Sequence, residues 1–160
     1  MTGVGPALLP LAIGLVAIAT APAIAGELKG PGRFCGYSPI IDLKAGERIV
    51  TLEGGIHGGT FRWEGAFGTL EVDGIGWAAE PRGRKIKART TGGQIRFAQK
   101  KVGHTYLVAI WNGRQGAAYF KSMHPLSAAQ LAAIGRVLLF QEGEDPGRCD
   151  LKTIFSWDFE

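Results

Sequence analysis

The fold of this chain is constrained most by short runs in which apolar and polar residues alternate, separated by glycine-rich turns. Residues 60–64 and 69–73 follow this pattern, and the strand-like run 48–53 precedes a loop, 54–59, that holds four glycines. Alternation with a period of two is typical of strands that bury one face, and glycine permits tight turns between them. The sequence therefore predicts antiparallel strands joined by short connections.

The dipeptide Gly92-Gly93 predicts the two-residue turn of a further hairpin. Counting outward from this turn places five cations on one face of the hairpin: Lys85, Lys87, Arg89, Arg96 and Lys100. Like charges directly opposite each other destabilise a free sheet, and an anionic ligand would relieve that repulsion. We therefore predict a ligand-binding site on this basic face.

A second hairpin is predicted around Asn112-Gly113, a dipeptide that favours a two-residue type I′ turn. This register pairs Trp111 with Arg114 and Tyr106 with Tyr119. Both faces of the hairpin are largely apolar, so we expect it to be covered on both sides and to lie centrally in its sheet.

A helix is predicted after this hairpin, because Ser127 and Gln130 have the spacing of a capping box. It should run over residues 128–140, and an alternative ends it at Gly135 and makes 137–141 a strand. The resulting fold class is mainly β: an antiparallel sandwich or open barrel of about eight strands, with one helix packed on a face. We expect residues 26–160 to form a single domain.

The N-terminal residues 1–25 resemble an export signal. The stretch 8–25 is almost wholly apolar, and it ends in Ala23-Ile24-Ala25, a site of the kind that signal peptidases cleave. The stretch is just long enough to span a membrane, but Pro10, Gly14 and Pro22 interrupt it. We therefore expect cleavage, a periplasmic or secreted mature protein, and no membrane span after cleavage.

The two cysteines, Cys35 and Cys149, are expected to form a disulfide bond in that oxidising compartment. Such a bond closes a loop of more than a hundred residues, which in chain-entropy terms stabilises the fold by about 4–5 kcal/mol. The alternative, a catalytic thiol, lacks a neighbouring base in the sequence.

Charge is distributed unevenly along the chain. The stretch 81–141 contains eleven basic and no acidic residues, whereas the rest of the chain carries a net charge of −7. Such asymmetry favours an anionic envelope component or a protein partner, unless Glu64, Glu71 and Asp73 on neighbouring strands neutralise the basic face. Nucleic acid is not expected as a partner, because of the compartment and because the apolar side chains of the basic hairpin point away from its charged face.

Motifs for catalysis or for cofactor binding are weak. The three histidines lack metal-ligand spacing, so we predict neither a metal nor another cofactor. The pair Ser122 and His124 does not match a serine nucleophile motif. The leading prediction is a small non-enzymatic binding protein of the envelope. The alternatives are a periplasmic hydrolase whose site is assembled from separate strands, and an inhibitor or structural module that uses loop 54–59. Among the tryptophans, Trp77 is the one expected to be exposed.

Overall fold

The computed structural model of the protein describes residues 26–86, 93–141 and 143–153, so the predicted signal, residues 1–25, lies outside the described residues. The predicted fold class, mainly antiparallel β with one helix, is confirmed within these ranges. The elements are β1 Glu27–Lys29, β2 Gly32–Cys35, β3 Pro39–Leu43, β4 Arg48–Gly54, β5 Gly58–Gly65, β6 Gly68–Ile75, β7 Lys85–Ile86, β8 Ile95–Phe97, β9 Lys100–Val102, β10 Thr105–Trp111, β11 Ala117–Ser122, α1 Ala128–Ile134, β12 Leu138–Leu139 and β13 Leu151–Lys152.

These strands form two sheets in the described part of the chain. The large sheet has the order β1-β4-β5-β6-β11-β10-β8-β7, and β9 also pairs with β10; the small sheet has the order β12-β3-β2-β13. Pairing is antiparallel except between β13 and β2, which are parallel. The apolar β10–β11 hairpin lies inside the large sheet, which confirms its predicted central position.

The hydrophobic core lies between the two sheets and is closed at one end by α1. The large sheet contributes Phe61, Trp63 and Phe120, and the small sheet contributes Phe34 and Ile41; each is almost fully buried. Along β5, Phe61 and Trp63 alternate with the polar residues Thr60, Arg62 and Glu64, as a half-buried strand requires. The opposite face of β5 and β6 therefore carries mostly polar side chains and is more exposed than the core face.

Small residues form a row across the core face of the large sheet. Register pairs Gly54 with Gly59, Gly59 with Gly74, and Gly74 with Ala118. A Cβ atom on Gly74 would lie 2.6 Å from Cδ of Pro39, and one on Gly59 would lie 2.5 Å from the Tyr37 ring. The small sheet can approach this closely only because these positions lack side chains.

The small sheet is also joined covalently to the C-terminal part of the chain. Cys35 in β2 and Cys149 form a disulfide bond with a Cα–Cα distance of 5.9 Å, which confirms the predicted pairing. Residues 151 and 152 then add to β2 as the parallel strand β13, with Leu151 opposite Phe34. The segment that contains β13 thus forms one edge of the small sheet, next to β2.

The predicted helix over 128–140 is wrong at its C-terminal end. The helix ends at Ile134 with Gly135 as its cap, and residues 138 and 139 form β12 opposite β3, as the alternative prediction has it. The capping box is confirmed, because the Ser127 hydroxyl accepts from the Gln130 amide and the Gln130 side chain accepts from the Ser127 amide. Glycine weakens the helix at the point where β3 offers new backbone partners.

The predicted two-residue turn at Asn112-Gly113 is also wrong. Trp111 pairs with Ala117, so residues 112–116 form a five-residue connection. The Asn112 side chain closes it by accepting hydrogen bonds from the backbone N–H groups of Arg114 and Gly116, at 2.9 and 3.0 Å. The β11 side chains are shifted by three positions, so Ala118 and Phe120 face the core together with Ile110.

Substitution of Gly74 by alanine tests the close approach of the two sheets. We expect the free energy of unfolding to fall by about 1–3 kcal/mol, because the rigid Pro39 ring must move to admit a methyl group. The matched change Gly55→Ala meets only the Gly58 carbonyl oxygen, at 3.4 Å, and should change stability by about 0.5 kcal/mol or less. Urea denaturation measures both variants, and equal effects would contradict this description of the row.

Candidate anion-binding surface

The predicted basic face does not form as one surface. Lys85 pairs with Phe97, and Ile86 pairs with Arg96, so Lys85 and Arg96 lie on opposite faces of the sheet. Lys87 and Arg89 lie outside the described residues. The structure therefore does not bring all five predicted site residues together, and the predicted register of this hairpin is wrong.

A β-bulge accounts for part of this difference. Arg96 pairs with Ile110, whereas Lys100 pairs with Leu107, so one strand advances by four residues while β10 advances by three. The additional residue at 98–99 reverses the alternation of side chains. Arg96 and Lys100 would share a face in a regular strand, and the bulge places them on opposite faces.

Arg96 lies on the core side of the large sheet, in register with Ile110. Its Nε atom is buried and makes no hydrogen bond within the described residues. Lys85 and Lys100 lie on the other face, where Lys85 forms an ion pair with Glu80 at 2.5 Å. Of the predicted site residues that the structure describes, Lys100 is thus the exposed cation without an acidic partner.

Lys100 belongs to a group of four exposed cations at the end of the sheet, which we name the cationic edge: Arg82, Arg84, Lys100 and Lys101. The Lys100 ammonium donates to the backbone oxygen of Arg82 at 3.2 Å, and the Ala98 amide donates to that of Arg84 at 2.8 Å. Lys101 lies 5.6 Å from the centroid of the Tyr106 ring. None of the four forms a salt bridge with a described acidic residue.

The sequence prediction missed Arg82, Arg84 and Lys101. All three belong to the acid-free stretch 81–141, so the uneven charge distribution is the sequence feature that could have identified them. They were not assigned to the predicted basic face of the hairpin, because Arg82 and Arg84 precede β7 and because Lys101 points to the opposite face from Lys100.

The acids that were expected as counter-charges are engaged elsewhere. Glu64 forms salt bridges with Arg48 at 2.6 Å and with Arg62 at 3.0 Å. Glu71 and Asp73 both form salt bridges with Lys121. These three acids therefore do not neutralise the basic hairpin.

Lys121 lies on β11 opposite Glu71, and its ammonium group is 3.0 Å from Glu71 and 2.5 Å from Asp73. Burial alone would lower the pKa of Lys121, but the hydrogen bonds and charges of Asp73 and Glu71 outweigh burial. The pKa is raised above its ordinary value. This trio is consequently a self-contained ionic cluster on the polar face of the sheet.

A groove of about 520 Å³ lies beside this ionic cluster. Its lining includes Leu52, Glu71, Lys121, Ser122 and His124. The Ser122 hydroxyl accepts a hydrogen bond from the backbone N–H of His124 at 3.3 Å, which is a local turn contact. In the described ranges no hydrogen bond joins this hydroxyl to an imidazole, as the activation of a serine nucleophile would require.

A second exposed feature, the apolar tip, lies at the opposite end of the strands and comprises Ile56, His57 and Trp77. The side chains of Ile56 and Trp77 are 54% and 60% exposed, and the His57 and Trp77 rings are 5.7 Å apart. A backbone hydrogen bond of 2.9 Å from Gly76 to His57 ties the two segments together. The predicted exposure of Trp77 is confirmed.

Metal-ligand clusters and membrane-spanning helices are both absent from the described residues. No group of three or more His, Cys, Asp or Glu side chains there is placed to hold a metal ion. No helix in those ranges is long and apolar enough to cross a membrane.

Comparison with known proteins gave no match: no protein-family model, no curated protein and no solved structure is significantly similar to this chain.

The engagement of Lys121 with Glu71 and Asp73 predicts a specific pH dependence. Because the folded-state pKa is raised, the stabilisation is complete below the unfolded pKa of about 10.4 and is lost as the pH rises through the folded value. We expect the difference in unfolding free energy between the wild type and Lys121→Met to be constant from about pH 7 to 9 and to shrink above about pH 10.4. Urea denaturation over a pH series measures this, and a difference that stays constant at alkaline pH would contradict the pairing.

Proposed function

We propose that this chain is an exported binding protein that holds an anionic component of the cell envelope through the cationic edge, Arg82, Arg84, Lys100 and Lys101. The observation that carries the proposal is the absence of acidic partners for these four cations within the described residues, although the chain contains fourteen acidic residues. Unpaired cations that lie close together attract anions and raise their local concentration.

Export is supported by two independent features. The apolar N-terminal stretch ends in a cleavage-like site, and the disulfide between Cys35 and Cys149 is of a kind that persists in oxidising compartments. An anionic partner in that setting is an envelope phosphate or an acidic polysaccharide rather than nucleic acid.

The position of the cationic edge also supports binding. β9 pairs with β10 on one side, and no described strand pairs with its other side. Lys100 and Lys101 alternate across this strand, so their charges surround the sheet edge, and Arg82 and Arg84 add two more charges from the adjoining segment. Lysine at a sheet edge can also serve only to prevent edge-to-edge aggregation, and the following experiment separates the two roles.

Replacing all four cations of the cationic edge by glutamine should lower retention on a heparin column. Each lost contact with a polyanion removes one released counterion, so the slope of log affinity against log salt should fall by about 3–4. Retention and salt-dependent binding isotherms measure this. A circular dichroism melt checks that the variant is folded.

The matched control replaces four other exposed cations by glutamine: Lys29, Lys44, Arg114 and Lys152. Both variants lose the same net charge, so a purely nonspecific effect would be equal in the two. Elution of both variants at the same salt concentration would contradict the proposal.

A second candidate function, docking of a protein partner, is supported by the apolar tip. Gly55 donates to the Gly58 carbonyl at 2.8 Å, and the Tyr37 ring packs beneath Gly59, so the loop that carries Ile56 is held in a defined shape. Rigid, exposed tryptophan is enriched among the residues that dominate protein–protein binding energy. This is the inhibitor or structural role expected for loop 54–59.

A photo-cross-linking residue at position 56 tests this second candidate in cells. We expect one discrete cross-linked product, which the change Trp77→Ala removes because the partner loses its apolar contact. A cross-linker at the exposed position 44 is the control. The same products at both positions, or none at position 56, would refute docking through the tip.

A further inference from the structure

Two exposed apolar side chains lie at the end of the sheet that carries the cationic edge. Val102 is 55% exposed and Met123 is 67% exposed. Isolated apolar residues on a protein surface need no explanation, but these two lie at the same end of a sheet, beside cations that have no described acidic partner.

These two side chains belong to neighbouring connections. Val102 pairs with Thr105 at the start of β10, and Thr105 lines the same groove as Met123. Tyr106 pairs with both Lys101 and Ser122, so the β9–β10 turn and the segment after β11 lie side by side. Val102 and Met123 thus project from one end of the large sheet.

The charged residues around them are basic, or are already paired. Lys100 and Lys101 directly precede Val102, and the stretch 81–141 contains no acidic residue. The acidic residue that lines the groove, Glu71, forms a salt bridge with Lys121 at 3.0 Å. This end therefore presents exposed apolar groups next to a positive charge that no described acid offsets.

We propose that the anionic partner is the surface of a phospholipid bilayer, which the cationic edge contacts through lipid phosphates while Val102 and Met123 enter the headgroup region. The inference rests on the proposed function and adds an apolar component to it. A soluble polyanion would leave both apolar side chains in water, whereas a bilayer interface offers phosphates and apolar chains together. Each basic residue near an anionic membrane surface raises the partition coefficient about fivefold, and buried apolar area adds to this.

The test measures co-sedimentation of the mature protein with vesicles of equal parts phosphatidylglycerol and phosphatidylcholine, and with phosphatidylcholine vesicles alone. We expect binding to the anionic vesicles only. The double variant Val102→Ser and Met123→Ser should bind them at least about tenfold more weakly, because it loses apolar contact with the interface. Retention of this variant on heparin should be unchanged, because its cations remain.

The variant Ile56→Ser is the matched control, because Ile56 is 54% exposed at the opposite end of the strands. It should bind the anionic vesicles as the wild type does. A second control is added heparin, which should compete with the vesicles for the cationic edge.

The outcomes distinguish this inference from the proposed function. Vesicle binding that is equal in the wild type and in the Val102/Met123 variant, or absent in both, overturns the bilayer inference, and heparin retention that still depends on the cationic edge then leaves the proposed function intact. Loss of vesicle binding in the Ile56→Ser control would also overturn the bilayer inference, because the membrane contact would then lie at the opposite end of the strands. Heparin retention that is insensitive to the cationic-edge variant overturns the proposed function itself.

Discussion

The architecture depends on the close contact between the small sheet and a row of residues without large side chains. Gly59 and Gly74 have ordinary extended backbones, so space and not conformation requires glycine there. A similar contact recurs at Gly116, where a Cβ atom would lie 2.5 Å from the Ser38 hydroxyl oxygen. This contact covers the core face of the large sheet. The outer face of the sheet, its edges and the loops at its ends therefore remain accessible for binding.

The salt bridges that the acidic residues form determine which of those surfaces can bind an anion. On the outer face, acids and bases lie on adjacent strands and neutralise each other, as Glu64 does for Arg48 and Arg62. This mutual neutralisation of charges on adjacent strands ends at β10, because the chain supplies no acid between Glu80 and Glu142. The positive charge of the cationic edge thus follows from strand order as well as from composition.

Local patterns predicted the fold class, the disulfide and the helix start, because each depends on short-range rules or on a single possible pairing. The hairpin registers were not predictable in this way. The 112–116 connection is set by the Asn112 side chain, and the 98–99 bulge reverses which face Lys100 occupies. A missed bulge changes the face of every residue beyond it, so the predicted site kept Lys100 and wrongly grouped it with Arg96.

The central claim, that the cationic edge is the binding surface, is tested most directly by following backbone amide NMR signals of residues 26–160, produced without the predicted signal, during titration with a heparin oligosaccharide. We expect the shift changes to be concentrated at residues 82–84 and 98–104, with signals of exposed cations elsewhere, such as Lys44 and Lys152, nearly unchanged. Shift changes spread evenly over all exposed cations, or centred on another surface, would contradict it.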